Sequence, residues 1–187
     1  MTASPGTETR LRSVATDELD ASAVDALRRL VFSAFDGHNE PFDEEDWQHA
    51  LGGRHFILEI GAELVAHAAV VEREIHIGSR PLRTGYVEAV AVDPALQGRR
   101  LGTRLMRAVN AYLDGEFELG ALGSDSFRFY EQVGWQVWQG PTFVRTDGGK
   151  EPTPEGDGYI LVHLTPRTPE LDFTEPISCE WRSGDVW

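Results

Sequence analysis

The sequence is poor in cysteine, in basic residues and in long apolar runs. Its one cysteine, Cys179, cannot form an intrachain disulfide, and this favours a reducing compartment. Only 17 Lys and Arg stand against 31 Asp and Glu, which disfavours phosphate-backbone binding as the main function. No apolar run reaches the roughly 18 residues of a membrane-spanning helix, and residues 1–10 lack the apolar core of a secretory signal. We therefore expect a cytoplasmic protein that binds neither nucleic acid nor membrane.

The acidic composition, with a formal net charge of −14, favours a cationic partner. A run of acids beside Trp47, from Glu40 to Asp46, offers carboxylates that could pair with ammonium groups. Two less specific explanations stay open. A net charge of this size also keeps a protein in solution, and an acidic run is commonly the solvated face of a helix.

The length of 187 residues suits one sizeable core, so we expect a loose leader over residues 1–8 and a single domain over residues 9–187 with a docked C-terminal tail. Hydrophobic periodicity and turn residues predict an α/β (α+β) order of elements with a mixed sheet. The predicted strands are 9–15, 54–60, 64–77, 82–92, 119–122, 135–138 and 159–164, and the predicted helices are 21–35, 43–51, 101–113 and 127–133.

A glycine-containing turn joins a strand to a helix between residues 87 and 103. Gly98 and Gly102 permit close approach of a ligand to the backbone, and a helix N-terminus supplies N–H groups and a favourable dipole for a diphosphate. A plain strand–turn–helix connection would also explain the turn.

This turn and the later segment Phe129-Tyr130-Glu131-Gln132-Val133-Gly134-Trp135 together resemble the GNAT acetyltransferase superfamily. The resemblance implies a GNAT acyltransferase fold, in which helices flank a central mixed, mostly antiparallel sheet, with acetyl-CoA as cosubstrate and no metal. The residues that it implies bind acetyl-CoA are Val90, Ala91, Val92, Gln97, Gly98, Arg99, Arg100, Leu101, Gly102 and Thr103. The superfamily pattern is Gln/Arg-x-x-Gly-x-Gly/Ala. Gln97 and Gly102 match it, whereas Arg100 stands where the middle glycine is usual.

Several further segments resemble the aminoglycoside 2′-N-acetyltransferases, and they span nearly the whole chain. They are Asp46-Trp47-x-x-x-Leu51-Gly52-Gly53, Ala66-His67-Ala68-Ala69-Val70, Gly85-Tyr86-Val87-Glu88, Leu119-Gly120-Ala121-Leu122 and Trp181-Arg182-x-Gly184-Asp185-Val186-Trp187. This resemblance implies acetylation of the 2′-amine of an aminoglycoside by a homodimer.

The resemblance also implies roles for three catalytic residues. Glu88, acting through water, and the Trp187 carboxylate would help deprotonate the attacking amine, because an ammonium is not nucleophilic. Tyr130 would protonate the departing thiolate, and backbone N–H from the Val90 region would hold the oxyanion. A core packing role for Tyr130 and an ordinary docked tail ending at Trp187 stay open as alternatives.

The residues implied to bind the aminoglycoside are Glu40, Asp46, Glu88, Ala89, Gly123, Ser124, Asp157, Asp185 and Trp187. Gly123 occupies a position where the family has serine, so Ser124 is a candidate to take its place. Among the histidines, His67 is predicted to pack or to form hydrogen bonds, since no ligand cluster surrounds it.

We predict direct transfer in a ternary complex, because no activated serine or cysteine is evident. Two other functions stay open. One is a GNAT enzyme whose acceptor is another amine or hydroxyl, such as a cell-wall amino sugar or a polyamine. The other is a non-catalytic module that binds aminoglycoside or CoA.

Overall fold

The computed structural model describes residues 8–37 and 42–187. The described chain divides into two compact units, and each is discontinuous in sequence. The first unit runs up to Val71 and resumes over Glu88–Val109, whereas the second consists of Glu72–Val87 and Asn110–Trp187. One domain over residues 9–187 stays a prediction.

The described residues contain ten strands and four α-helices. The strands are β1 Thr9–Ala15, β2 Arg54–Ile60, β3 Glu63–Ile77, β4 Arg80–Val92, β5 Leu119–Gly123, β6 Gln136–Val137, β7 Thr142–Thr146, β8 Gly149–Pro152, β9 Ile160–Leu164 and β10 Ile177–Glu180. The helices are α1 Ala21–Phe35, α2 Glu44–Ala50, α3 Leu101–Glu116 and α4 Phe127–Glu131. No helix within residues 8–37 and 42–187 has the length and apolar character needed to cross a membrane.

In the first unit, β1 pairs antiparallel with β2, and β2 pairs antiparallel with the beginning of β3. Helix α1 begins where the Asp20 carboxylate accepts from the Ala23 N–H at 2.8 Å, so Asp20 is the N-cap. The helix packs its apolar face on the sheet. The buried residues of this core are Leu27, Val31, Ala34, Trp47, Ala50, Ile57, Ala69, Ala89 and Ala91.

In the second unit the strand order is β6-β9-β5-β4-β3-β10-β7-β8. The pairs β4–β5 and β10–β7 are parallel, and the pairs β10–β3, β5–β9, β6–β9 and β7–β8 are antiparallel. This confirms the mixed, mostly antiparallel sheet. Helix α3 packs closely here because Gly85 has no side chain, and a Cβ at that position would lie 2.3 Å from a Leu113 methyl group.

Three strands of the second unit, β7, β8 and β10, were missing from the sequence prediction. Each has only four or five residues, and the polar β8 carries no alternation of buried and exposed positions. The ends of several elements also differ by one to three residues. Helix α3 continues to Glu116 through Gly115, α4 ends at Glu131, and β6 shrinks to Gln136–Val137.

Candidate active site

The turn before α3 presents an anion-receptive backbone. The Asp93 carboxylate accepts from the Ala95 N–H at 2.8 Å and fixes the start of the turn. The Arg104 N–H donates to the Arg100 carbonyl at 3.1 Å, and this bond belongs to the first turn of α3. The N–H groups of residues 101–103 therefore lie at the helix N-terminus, where no carbonyl of the helix can accept from them. Residues 97–100 are exposed.

Arg100 retains the backbone conformation that a glycine would adopt at this position. Its φ is +62°, close to the +77° of Gly98. An L-residue in this region costs about 1–2 kcal/mol. Arg100 at the position of the middle glycine of the superfamily pattern therefore costs stability. Arg99 and Arg100 also add two exposed guanidinium groups beside the helix N-terminus, so the segment fits a diphosphate of the kind that acetyl-CoA carries.

Glu88 and Ala89 lie near the end of β4, in the first unit. Glu88 is half-buried, and Ala89 is buried in the core with a φ of +50°. Ala89 and Arg100 are the two non-glycine residues with positive φ in the described ranges. A left-handed alanine inside a strand stores strain and needs support from its surroundings.

A buried chain of hydrogen bonds provides that support for Ala89. Its carbonyl oxygen lies 2.9 Å from His67 Nδ1, His67 Nε2 lies 2.9 Å from His55 Nδ1, and His55 Nε2 lies 2.8 Å from Thr16 Oγ1. The Gly52 N–H donates to Thr16 Oγ1 at 2.9 Å. Both imidazoles are fully buried. The sequence predicted that His67 would pack or form hydrogen bonds, and it does both, since its ring also lies 6.0 Å from that of Trp47.

Burial lowers the pKa of both histidines, to about 4 for His55 and to about 3 for His67, where the charge of His55 contributes as well. Both are therefore neutral at neutral pH, and each ring carries one proton. A carbonyl can only accept, so His67 has its proton on Nδ1. His55 then donates through Nδ1 to His67 Nε2, and the Thr16 hydroxyl donates to His55 Nε2.

These lowered pKa values predict that the protein loses stability as the pH falls from 6.5 towards 4. In that window the unfolded chain binds a proton on each of His55 and His67, whereas the folded chain does not, so stability rises with pH. Each histidine adds about 1.4 kcal/mol per pH unit to the slope of the unfolding free energy against pH. Urea unfolding at pH 5 and pH 7 should show this slope. A His67→Asn variant should lose about half of it, and equal stability of the parent at both pH values would contradict the assignment.

Tyr130, in the second unit, lies on α4 and is buried, with 6% of its surface exposed. Its ring packs edge-on against Phe129 and Trp135 at centroid distances of 5.0 and 6.1 Å. The Trp135 indole N–H donates to Asn110 at 2.9 Å, which anchors the end of the motif. Burial raises the pKa of the Tyr130 phenol above its ordinary value, so the hydroxyl keeps its proton at neutral pH.

The C-terminal segment packs within the second unit. Trp187 is 7% exposed, and its indole N–H donates to Thr153 Oγ1 at 2.8 Å. Its main-chain N–H donates to the Asp185 carboxylate at 3.0 Å. Arg182 Nη2 donates to the Trp187 main-chain oxygen at 3.1 Å, and Arg182 Nε donates to the Asp185 carbonyl at 2.7 Å. The sequence analysis gave no role to Arg182, which fixes the end of the tail.

Three acids predicted to bind the aminoglycoside also hold the backbone in place. Asp46 accepts from the Asp43 N–H at 2.9 Å as part of a capping box at the start of α2. Asp157 accepts from the Thr142 N–H at 2.7 Å and from the Thr142 hydroxyl at 2.9 Å, and Asp185 accepts from Trp187. These bonds use one carboxylate oxygen of each acid and restrict the orientation of the other.

Space for a side chain exists at Gly123, where the family resemblance predicts serine. A Cβ at this position would lie 3.5 Å from the Tyr86 hydroxyl and 3.9 Å from the Trp187 carbonyl carbon, which are ordinary contact distances. The Ser124 hydroxyl accepts from the Ser126 N–H at 3.1 Å and thereby shapes the turn into α4. A substitute role for Ser124 must therefore coexist with this turn.

The structure places the predicted site residues in two groups. The first unit holds Asp46, Glu88, Ala89, residues 90–92 and residues 97–103, and the second holds Gly123, Ser124, Tyr130, Asp157, Asp185 and Trp187. Glu40 lies outside the described residues. Within those residues, no group of three or more His, Cys, Asp or Glu side chains could hold a metal ion.

The contributions of His55 and Thr16 were not predicted from the sequence. The available signal was the occurrence of two histidines in otherwise apolar stretches of β2 and β3. A buried polar side chain needs a hydrogen-bond partner, which points to a network even where the partner cannot be identified.

Comparison with known proteins gives a consistent result. The acetyltransferase (GNAT) domain family matches residues 15–138. An aminoglycoside 2′-N-acetyltransferase from Mycolicibacterium fortuitum is 47% identical over 181 residues, which cover 94% of this chain and 91% of that relative.

Two solved structures share the fold. One is a GNAT family acetyltransferase from Brucella melitensis in complex with acetyl-CoA, with a TM-score of 0.60, 18% identity and coverage of 88% of this chain and 94% of that one. The other is a GCN5-related N-acetyltransferase from Kribbella flavida, with a TM-score of 0.57 and 24% identity. The match to the latter covers 73% of this chain but only 34% of that longer chain.

Proposed function

Because this chain belongs to the aminoglycoside 2′-N-acetyltransferase family of GNAT acetyltransferases, we propose that it transfers the acetyl group of acetyl-CoA to the 2′-amine of an aminoglycoside. The 47% identity to the M. fortuitum relative, sustained over 94% of the chain, carries this proposal. The excess of acidic residues supports a polycationic acceptor, because negative potential raises the local concentration of cations.

The loop from Gln97 to Thr103 binds the diphosphate of acetyl-CoA in this proposal. The N–H groups at the N-terminus of α3 face the anion, and the guanidinium groups of Arg99 and Arg100 add positive charge. Acetyl-CoA supplies an activated thioester carbonyl. The N–H of Val90 donates to the oxygen of that carbonyl as negative charge develops on it.

Three residues handle the protons and the acceptor. Glu88 accepts a proton from the acceptor ammonium through water, so that the free amine can attack the thioester carbon. The α-carboxylate of Trp187 pairs with the ammonium group. Arg182 Nη2 fixes the position of this carboxylate, which also helps Glu88 to deprotonate the ammonium. Tyr130 donates its phenolic proton to the departing thiolate.

Direct transfer, without an acetyl-enzyme, is supported by the state of Cys179. Its thiol is fully buried, and burial raises its pKa to about 11, so almost no thiolate forms at neutral pH. Family resemblance further supports a cytoplasmic homodimer as the active form.

Acetyl-CoA-dependent thiol release tests the proposal with kanamycin B, which has a 2′-amine, and with spermidine and glucosamine as rival acceptors. We expect kcat/KM for kanamycin B to exceed that of either rival by at least about 10²-fold, because only the larger acceptor satisfies several carboxylates at once. Equal or faster turnover of spermidine or glucosamine would favour another native amine. CoA binding without any turnover would favour a non-catalytic module.

A further inference from the structure

The hydrogen bond from His67 to Ala89 fixes the orientation of a whole peptide group. No peptide bond in the described residues is cis, so the Ala89 carbonyl and the Val90 N–H lie in one plane and point in opposite directions. His67, which is fully buried, donates from Nδ1 to the Ala89 carbonyl at 2.9 Å. The Val90 N–H is therefore directed away from His67.

Apolar side chains would fill the space of the two histidines at a lower energetic cost. The neighbours of His67 on β3, Ala66 and Ala68, are fully buried, and so is Ala69. Two imidazoles in such surroundings are tolerated only because each ring nitrogen has a partner. The hydrogen-bond chain that they form ends on the carbonyl of Ala89, a residue with left-handed backbone conformation.

The direction of this hydrogen-bond chain is fixed at Ala89. The Ala89 carbonyl can only accept, so His67 donates through Nδ1, and His55 donates through Nδ1 to His67 Nε2. Thr16 Oγ1 accepts from the Gly52 N–H and lies 3.2 Å from the Gly53 carbonyl and 2.8 Å from His55 Nε2, and it donates to the nearer acceptor, His55 Nε2. Each histidine is held in one tautomer, with the proton on Nδ1.

We propose that His67, held by His55 and Thr16, is a positioning residue for acetyl transfer, because it orients the Val90 N–H that donates to the thioester oxyanion. This inference rests on the proposed function, which assigns that donor. His67 itself touches no substrate. Its contribution is to keep the Ala89–Val90 peptide in the one orientation that presents the donor before the reaction begins.

Two substitutions at His67 separate positioning from packing. His67→Leu fills the space without a donor, whereas His67→Asn places an amide N–H near the position of Nδ1. We expect kcat with kanamycin B to fall about 10–100-fold in His67→Leu, which is less than the loss of a whole oxyanion donor. In His67→Asn most of that loss should be recovered. The Kd for acetyl-CoA, from calorimetry, should stay within about threefold in both, because the diphosphate is bound elsewhere.

NMR gives a readout independent of turnover. Long-range ¹H–¹⁵N spectra of the parent should show both histidines protonated on Nδ1, and the Val90 amide resonance should shift when CoA binds. In His67→Leu, the Val90 amide resonance of the free protein should differ from that of the parent. The opposite tautomer at His67 would overturn the proposal, as would a parental kcat in His67→Leu.

Two further comparisons keep the test decisive. If His67→Leu does not fold, the pair Thr16→Val and Thr16→Ser replaces it. We expect mixed tautomers and a lower kcat only in Thr16→Val, which removes the hydroxyl, and identical behaviour of the pair would overturn the proposal.

Hydrolysis of acetyl-CoA without any amine separates the positioning role of His67 from the proposed identity of the acceptor. If the parent protein does not acetylate kanamycin B, the proposed acceptor is wrong. A loss of acetyl-CoA hydrolysis in His67→Leu relative to the parent would still support the positioning role of His67.

Discussion

Replacing Tyr130 with phenylalanine should lower kcat roughly 10²–10³-fold while the fold is preserved. The phenol is buried against Phe129 and Trp135, and removing one hydroxyl leaves those ring contacts in place. Burial raises the pKa of the phenol, so the hydroxyl keeps its proton until the thiolate forms. The same buried surroundings would raise the pKa of the departing thiol, which favours proton transfer from the phenol to the thiolate. Without it, CoA must leave as an unprotonated thiolate.

The measurement is single-turnover acetylation, because product release could otherwise hide a change in the chemical step. Tyr159→Phe is the matched control, since Tyr159 is 50% exposed and has no assigned role. We expect the control to behave like the parent. A parental single-turnover rate in Tyr130→Phe would remove Tyr130 as the acid and leave it a packing residue.

Replacing Glu88 with glutamine should lower kcat about 10²-fold at neutral pH, with acetyl-CoA affinity nearly unchanged. The substitution keeps the shape of a half-buried side chain but removes its ability to accept a proton. The loss should shrink as the pH rises towards the pKa of the acceptor amine, because the free amine then forms without help from the enzyme.

Glu63→Gln is the control for this variant, as Glu63 is an exposed residue at the start of β3. Rates measured from pH 6 to pH 9 with the parent and both variants give the comparison. Equal rates for Glu88→Gln and the parent across that range would reject Glu88 as the base. A constant deficit at every pH would instead assign it to binding the acceptor.

The family could be predicted from sequence because its signals are local. The strand–turn–helix around Gln97 and the motif ending at Gly134-Trp135 each fix a short stretch of backbone, and short stretches are what residue patterns report. Elements α1, β2 and β3 were predicted to within one residue, because their hydrophobic pattern and the turn residues beside them are also local signals.

The parts of the fold and of the site that were not predicted depend on contacts between residues that are distant in sequence. Strand β10 pairs with β3, about 100 residues earlier in the chain, and no local pattern records that partner. The hydrogen-bond chain from Thr16 through His55 and His67 to Ala89 likewise joins four separate segments of the sequence. The structural roles of Asp157 and Asp185 were hidden as well, because an acid that accepts from backbone N–H groups is indistinguishable in sequence from one that binds a ligand.

The most direct test of the central claim compares kanamycin B with kanamycin A, which differ only in carrying an amine or a hydroxyl at the 2′ position. The measurement is kcat/KM for acetyl-CoA-dependent thiol release, with the acetylated position identified by NMR of the product. We predict acetylation of kanamycin B at the 2′-nitrogen and at least about 10³-fold lower kcat/KM for kanamycin A. Comparable turnover of both compounds, or acetylation at another amine, would contradict the account.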